Sequence, residues 1–379
     1  MYRHLPSLSL LASLTLFLFS CGLTPPDFDK SGEKDAVCNF SSVVDVPSPY
    51  ELTQVALIDA DHDFFSFQML NRQQGYALGT THVGGFADVW KTENGGISWS
   101  NVSPQISRHP ISLHFLDHEV GFVTTQNVTG CPDSCDARTS LLKTTDGGAS
   151  WQEVFYPTLS GALHHLQQDE KGNLYANLFD VRVGNGVSET NITLVTSTDG
   201  GLTFDSLFTA PSYGSTHSPF SFTIAEDRIY AAGVEGQIFV LETNGTLVDQ
   251  VFVRANSAIT GIQVLSSERL VVGTISGVLF SDDAGKSWKL LREGWGKILT
   301  ANSLEGGQVE AVIAITNDYC PGDVARSIDV LAYTNDTGAS WVDSSPALNT
   351  VHALAHKPHY FDERETWLLL QNKVFSLTK

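Results

Sequence analysis

Basic residues are scarce in this chain. Twenty-two Lys and Arg stand against 42 Asp and Glu, a formal charge of −20. A surface of that sign repels phosphate backbones and anionic headgroups, which argues against nucleic acid as a partner, and it also keeps an exported protein colloidally stable. Methionine is nearly absent, at two residues, whereas glycine reaches 32 and aromatic residues 10%. That balance suits short strands and tight turns better than packed helices, so the fold class reads as all-β.

The N-terminal apolar run, from Leu8 to Phe19 behind Arg3 and His4, is too short to cross a bilayer as a mature helix and has the form of a signal peptide over residues 1–20. It ends in Leu18-Phe19-Ser20-Cys21-Gly22, which resembles the bacterial lipobox, in which the cysteine is diacylated before cleavage. That resemblance implies lipidation of Cys21 and a place in the bacterial cell envelope, at the periplasmic or surface face. Two or three acyl chains anchor where one is marginal. The alternative is an ordinary secretory signal with an incidental cysteine. Residues 21–43, with Pro25 and Pro26, read as a tether.

Cysteine is sparse as well. Setting Cys21 aside leaves Cys38, Cys131, Cys135 and Cys320, an even number in an oxidising compartment, and two disulfides are expected. Cys131 and Cys135 can close a small loop, leaving Cys38 and Cys320 to tie the two ends of the domain. A metal site at Cys131 and Cys135 is the weaker alternative, because no second cysteine pair or nearby His-x-His supplies further ligands. No cofactor is expected.

What the chain does have is repetition. A phrase of the form Thr-x-Asp-x-Gly-x-Ser-Trp occurs at Thr92–Trp99, Thr144–Trp151, Ser197–Phe204, Ser281–Trp288 and Thr334–Trp341, with a worn copy around Thr243-Asn244-Gly245. Its third position falls at 94, 146, 199, 244, 283 and 336, in steps of 52, 53, 45, 39 and 53, the size of a four-stranded propeller blade. The phrase resembles the Asp box, or BNR repeat, of sialidases, sortilin-type receptors, xyloglucanases and the photosystem II assembly-factor propellers. In a hairpin turn a short carboxylate can accept backbone N–H bonds and glycine can take the left-handed conformation. Asn94, Asp146, Asp199, Asp283 and Asp336 are therefore assigned to folding rather than chemistry, with Trp99, Trp151, Phe204, Trp288 and Trp341 inserted between sheets.

Short apolar strands precede each phrase, with first strands starting near Phe65, Ile111, Gly161, Phe220, Ile259, Ile298 and Val351. The last unit, with strands at Val351–Ala355, Trp367–Leu370 and Lys373–Leu377, lacks a fourth, and an apolar strand near Tyr50–Ile58 lacks partners. Pairing them closes a seven-bladed β-propeller of four-stranded antiparallel blades over residues 44–379 and removes exposed edges. A Cys38–Cys320 bridge would lock that closure.

Propellers bind ligands where first strands and inter-blade loops converge on the channel. His109, His114, His164, His165, His217 and His352 lie near that zone, without a spacing that specifies a metal. The sialidase resemblance implies a Phe/Tyr-Arg-Ile-Pro motif ahead of the first box. The nearest phrase, Ser107-Arg108-His109-Pro110, follows the box and lacks both the aromatic and the isoleucine. Asp59-Ala60-Asp61-His62-Asp63 alternates carboxylates as calcium loops do, but Phe64 replaces the required glycine, so it reads as a solvated turn. The segments Val128–Asp136 and Val181–Thr190 read as long hairpin excursions, places where recognition concentrates.

The overall pattern most resembles the photosystem II stability/assembly-factor-like group. That implies a non-catalytic, monomeric, lipid-anchored scaffold binding a protein or a glycan. The alternative is a sialidase-like or other glycoside hydrolase or lyase using channel-face carboxylates.

Overall fold

The computed structural model describes residues 51–59, 62–81, 84–104, 109–129, 136–184, 187–209, 221–233, 236–253, 258–317, 328–344, 359–362, 365–370 and 373–378. All belong to one unit, Ser42–Lys379. The described residues form an all-β propeller with seven four-stranded antiparallel sheets and a single 3-10 turn at Glu305–Gly307.

Six sheets follow chain order. They begin with the strands His62–Met69, His109–Phe115, Ala162–Gln168, Phe222–Ala225, Ile259–Ser266 and Trp295–Ser303. The remaining sheet joins the chain's two ends: Glu51–Leu57 pairs with Lys373–Thr378, which pairs with Glu365–Leu370 and then His359–Asp362. The expected strand at Val351–Ala355 lies outside the described residues, and His359–Asp362 occupies the first-strand position of that sheet.

Alternation along the middle strands explains how the sheets stack. In the first sheet, Ala77 joins Phe64, Phe67 and Met69 on one face, while Tyr76, Leu78, Ala87 and Val89 point the other way, against Leu113, Phe115, Val123 and Leu142 of the second sheet. A period of two divides each strand between two neighbours, so both faces must be apolar. The same sharing recurs between the fourth and fifth sheets, where Ile238, Val240 and Val251 meet Ile259, Leu270 and Val272. First strands are bulged in six of the seven sheets, as at Phe64/Ser66 and His164/Gln167, and a bulge bends a strand and strengthens its twist.

In the segment Val181–Thr190, the strands Leu174–Gly184 and Val187–Ser197 pair antiparallel out to Gly184 and Val187. Residues 130–135 lie outside the described residues, as do all five cysteines.

Candidate functional site

Each full copy of the repeated phrase folds into the same turn. In the second sheet, Thr144 Oγ1 donates to Asp146 Oδ1 at 2.8 Å and accepts from the Gly148 N–H at 2.8 Å. The Asp146 carboxylate also accepts from the Ser150 N–H (2.8 Å) and hydroxyl (2.5 Å). Equivalent bonds hold Ser197/Asp199, Ser281/Asp283 and Thr334/Asp336. The first-position hydroxyl, buried in all five copies at Thr92, Thr144, Ser197, Ser281 and Thr334, is the group that sequence reasoning left without a role. Its signal was there: only Ser and Thr occupy that position.

Asn94 makes the turn with one bond reversed. Its Oδ1 accepts from the Ser98 N–H at 2.9 Å, and its Nδ2 donates to Ser98 Oγ at 2.8 Å, where Asp146 accepts from the serine. The worn copy forms a shorter hairpin: the Gly245 N–H donates to the Glu242 carbonyl, and Asn244 Oδ1 accepts from the Thr246 N–H.

These carboxylates are held acidic by their own turns. Hydrogen bonds from Ser287 and Ser340, side chain first and backbone second, lower Asp283 and Asp336 to about 2, and Thr203 does the same for Asp199. The ring at the eighth position sits between sheets. Trp151 Nε1 donates to the Val102 carbonyl of the first sheet at 2.8 Å, and Trp341 Nε1 to the Leu291 carbonyl of the fifth at 3.1 Å. Trp99 donates to Gly96 within its own turn, and Phe204 packs on Phe122 and Leu141. The Trp288 ring packs into the core between the fourth and fifth sheets.

Of the six histidines expected near the channel, His217 and His352 lie outside the described residues. His109 opens the first strand of the second sheet, and His114 lies near its end, paired with Phe122. His164 and His165 are adjacent in the first strand of the third sheet, ring centroids 6.2 Å apart. His164 packs on Phe179 at 4.6 Å, and burial pushes its imidazole down to about 4. His165 has a φ of 54°, in the left-handed region, within the bulge.

The structure adds a polar cluster in the segment expected to be a solvated turn. His62 begins the first strand of the first sheet. Its Nδ1 lies 2.8 Å from Asp59 Oδ1 and its Nε2 3.5 Å from Asp88 Oδ2. Ser103 Oγ donates to Asp88 Oδ1 at 3.3 Å, and the rings of Phe64 and Trp90 stand 5.9 and 5.4 Å from the imidazole. The register explains the meeting: Phe64 and Asp88 both pair with Gly79, so no side chain from the middle strand separates the neighbours. Ser103 reaches Asp88 and not His62, so the cluster lacks the serine–histidine contact that activates a nucleophile. Among the described residues no group of three or more His, Cys, Asp or Glu is arranged to hold a metal ion.

No family model and no curated protein matches the chain. Solved structures do. YCF48 bound to D1 peptide superposes with a TM-score of 0.57 at 16% identity, over 87% of this chain and 95% of that one. YCF48 from Cyanidioschyzon merolae gives 0.55 at 15%, covering 86% and 98%, and the WD40 β-propeller domain of Doa1 gives 0.55 at 10%, covering 87% and 97%. At these identities the likeness is one of fold: the chain is a β-propeller of the same general architecture as YCF48.

Proposed function

We propose that this chain is a non-catalytic assembly scaffold that binds a protein partner through its channel face and inter-sheet loops. The repeated turns are read as Asp boxes and the seven sheets as the blades of one closed ring. The observation that carries the reading is the likeness, over most of both chains, to a propeller captured with a bound peptide. The engagement of the box carboxylates by their own turns supports it, since those acids are committed to folding. Export and anchoring through Cys21 complete the reading, with Cys131–Cys135 and Cys38–Cys320 as disulfides.

Affinity capture from an envelope extract with the mature chain, followed by mass spectrometry, is expected to return a protein. The same preparation is expected to leave a polysaccharide panel uncleaved. Robust cleavage abolished by one channel-face carboxylate substitution would overturn the reading, and recovery of a glycan alone would replace the partner class. Palmitate labelling lost in Cys21→Ala tests the anchor, and non-reducing peptide mapping tests the disulfides.

A further inference from the structure

The fourth sheet ends in an outer strand that exposes three large apolar side chains. Outer strands expose a row of unpaired backbone groups, and proteins blunt them by shortness, lysine, proline or a bulge. Ser100–Asn101 in the first sheet is short. Lys289–Glu293 in the fifth carries Lys289 and Arg292. Leu247–Phe252 in the fourth has six residues, no basic residue and no proline; Asp249 is its one charge and accepts from the Gln250 N–H at 2.8 Å, and its one bulge, at Val248, leaves Asp249–Phe252 regularly paired with Gln237–Val240. Leu247 is 48% exposed, Val248 44% and Phe252 59%. By register, Leu247 and Phe252 share the face of Leu241 and Phe239, the side turned toward the third sheet, where Phe208 stands 5.2 Å from Phe239.

The stretch of sequence around this strand is one-sided in charge, although Lys171 from outside it stands 3.9 Å from Asp227. From Asp199 to Arg254 the chain has seven acidic residues, Asp199, Asp205, Glu226, Asp227, Glu235, Glu242 and Asp249, against Arg228 and Arg254. Asp205, Glu242 and Asp249 are exposed, on or beside the outer strands of the third and fourth sheets. An apolar strand edge within an acidic field is complementary to an extended segment in which apolar residues alternate with Lys or Arg. Such a segment can add as a fifth strand through main-chain bonds while its cations meet the rim.

We propose that the outer edge of Leu247–Phe252 is a docking site for an extended, cationic and apolar segment of a partner protein, captured by β-strand addition, in which the Gln250 N–H exchanges its bond to Asp249 for one to the incoming strand. The inference rests on the protein-binding reading only for the class of occupant; the surface is the outer wall, separate from the channel face.

The test uses the full mature chain with two labelled probes, acetyl-(Lys-Val)4-amide and its charge-reversed acetyl-(Glu-Val)4-amide, followed by fluorescence anisotropy. The lysine peptide is expected to bind at least tenfold more tightly than the glutamate peptide and to weaken as salt rises. Val248→Lys and Phe252→Lys, which place a cation on an exposed edge without touching the core, are each expected to weaken binding tenfold with an unchanged melting temperature. Equal binding of both probes, no binding of the lysine probe, or binding indifferent to both substitutions would overturn the proposal. So would a concentration-dependent dimer by sedimentation that Val248→Lys dissolves, since the edge would then serve a second copy. Partners retained by the Phe252→Lys protein in affinity capture would belong to the channel face, so the two readings fail separately.

Discussion

Lys143 reaches from the second sheet to the third, its Nζ donating to the carbonyl oxygen of Gly200 at 3.0 Å while lying 5.4 Å from the centre of the Phe122 ring. Gly200 is the fourth residue of the next repeated turn, and Lys289 makes the same bond to Thr337 of the sixth sheet at 2.9 Å. A cation thus fastens one sheet to the turn of its neighbour. Lys143→Met keeps the aliphatic stem but loses the bond, and it is expected to cost about 1 kcal/mol in urea unfolding, toward the low end for a half-buried charged donor. Lys143→Arg is expected to lose less.

The buried hydroxyl at the first position of the turn sets a second expectation. Thr144→Val preserves volume but leaves the Gly148 N–H, buried, without its acceptor. A loss of about 1–3 kcal/mol is expected, against little for Thr144→Ser, because serine already fills the position at Ser197 and Ser281.

The fourth position of the turn is left-handed in every full copy. Gly95, Gly147 and Gly200 have φ near 70°, and Ala284 and Thr337 adopt 61° and 57° despite their side chains. Ala284→Gly is expected to stabilise by about 0.5–1 kcal/mol, relief of the left-handed penalty outweighing glycine's greater entropy in the unfolded chain. Gly147→Ala is expected to destabilise by more than about 2 kcal/mol, since its Cβ would also lie 2.6 Å from the His118 carbonyl oxygen. Thermal melts of both variants check the opposite signs.

Stability should fall with acidity in two windows. His164 is lowered by burial from 6.5 to about 4, so the unfolded chain takes up this proton first as pH drops. The contribution of the neutral imidazole is complete above pH 6.5 and is lost progressively down to about 4, amounting to about 3 kcal/mol at most. His164→Gln is expected to flatten that window in urea titrations. Asp199, Asp283 and Asp336, at about 2 against an ordinary 3.8, stabilise above pH 3.8 and cease to do so as pH falls toward 2. Their carboxyl carbon resonances should titrate in that range.

Much of the fold was legible because the turn is a local device. Thr144, Asp146, Gly148 and Ser150 lie within seven residues, and the hydrogen bonds of the Thr144 hydroxyl and the Asp146 carboxylate are made within that stretch. The pairing of Glu51–Leu57 with Lys373–Thr378 was legible for another reason: a strand without partners at one end and an incomplete unit at the other leave few alternatives. The His62 cluster was missed because sequence places Asp59 beside His62 but gives no sign of Asp88, which arrives from the third strand of the sheet.

The sequence by itself determined the all-β class, the repeat length and the chemistry of the turns, because each follows from residues a few positions apart. Tertiary structure alone decided which carbonyl receives the Trp151 indole, which turn Lys143 clasps, and that Leu247, Val248 and Phe252 stand exposed on an outer edge. Those outcomes depend on strand register and on the packing of neighbouring sheets, which bring together groups about 50 residues apart.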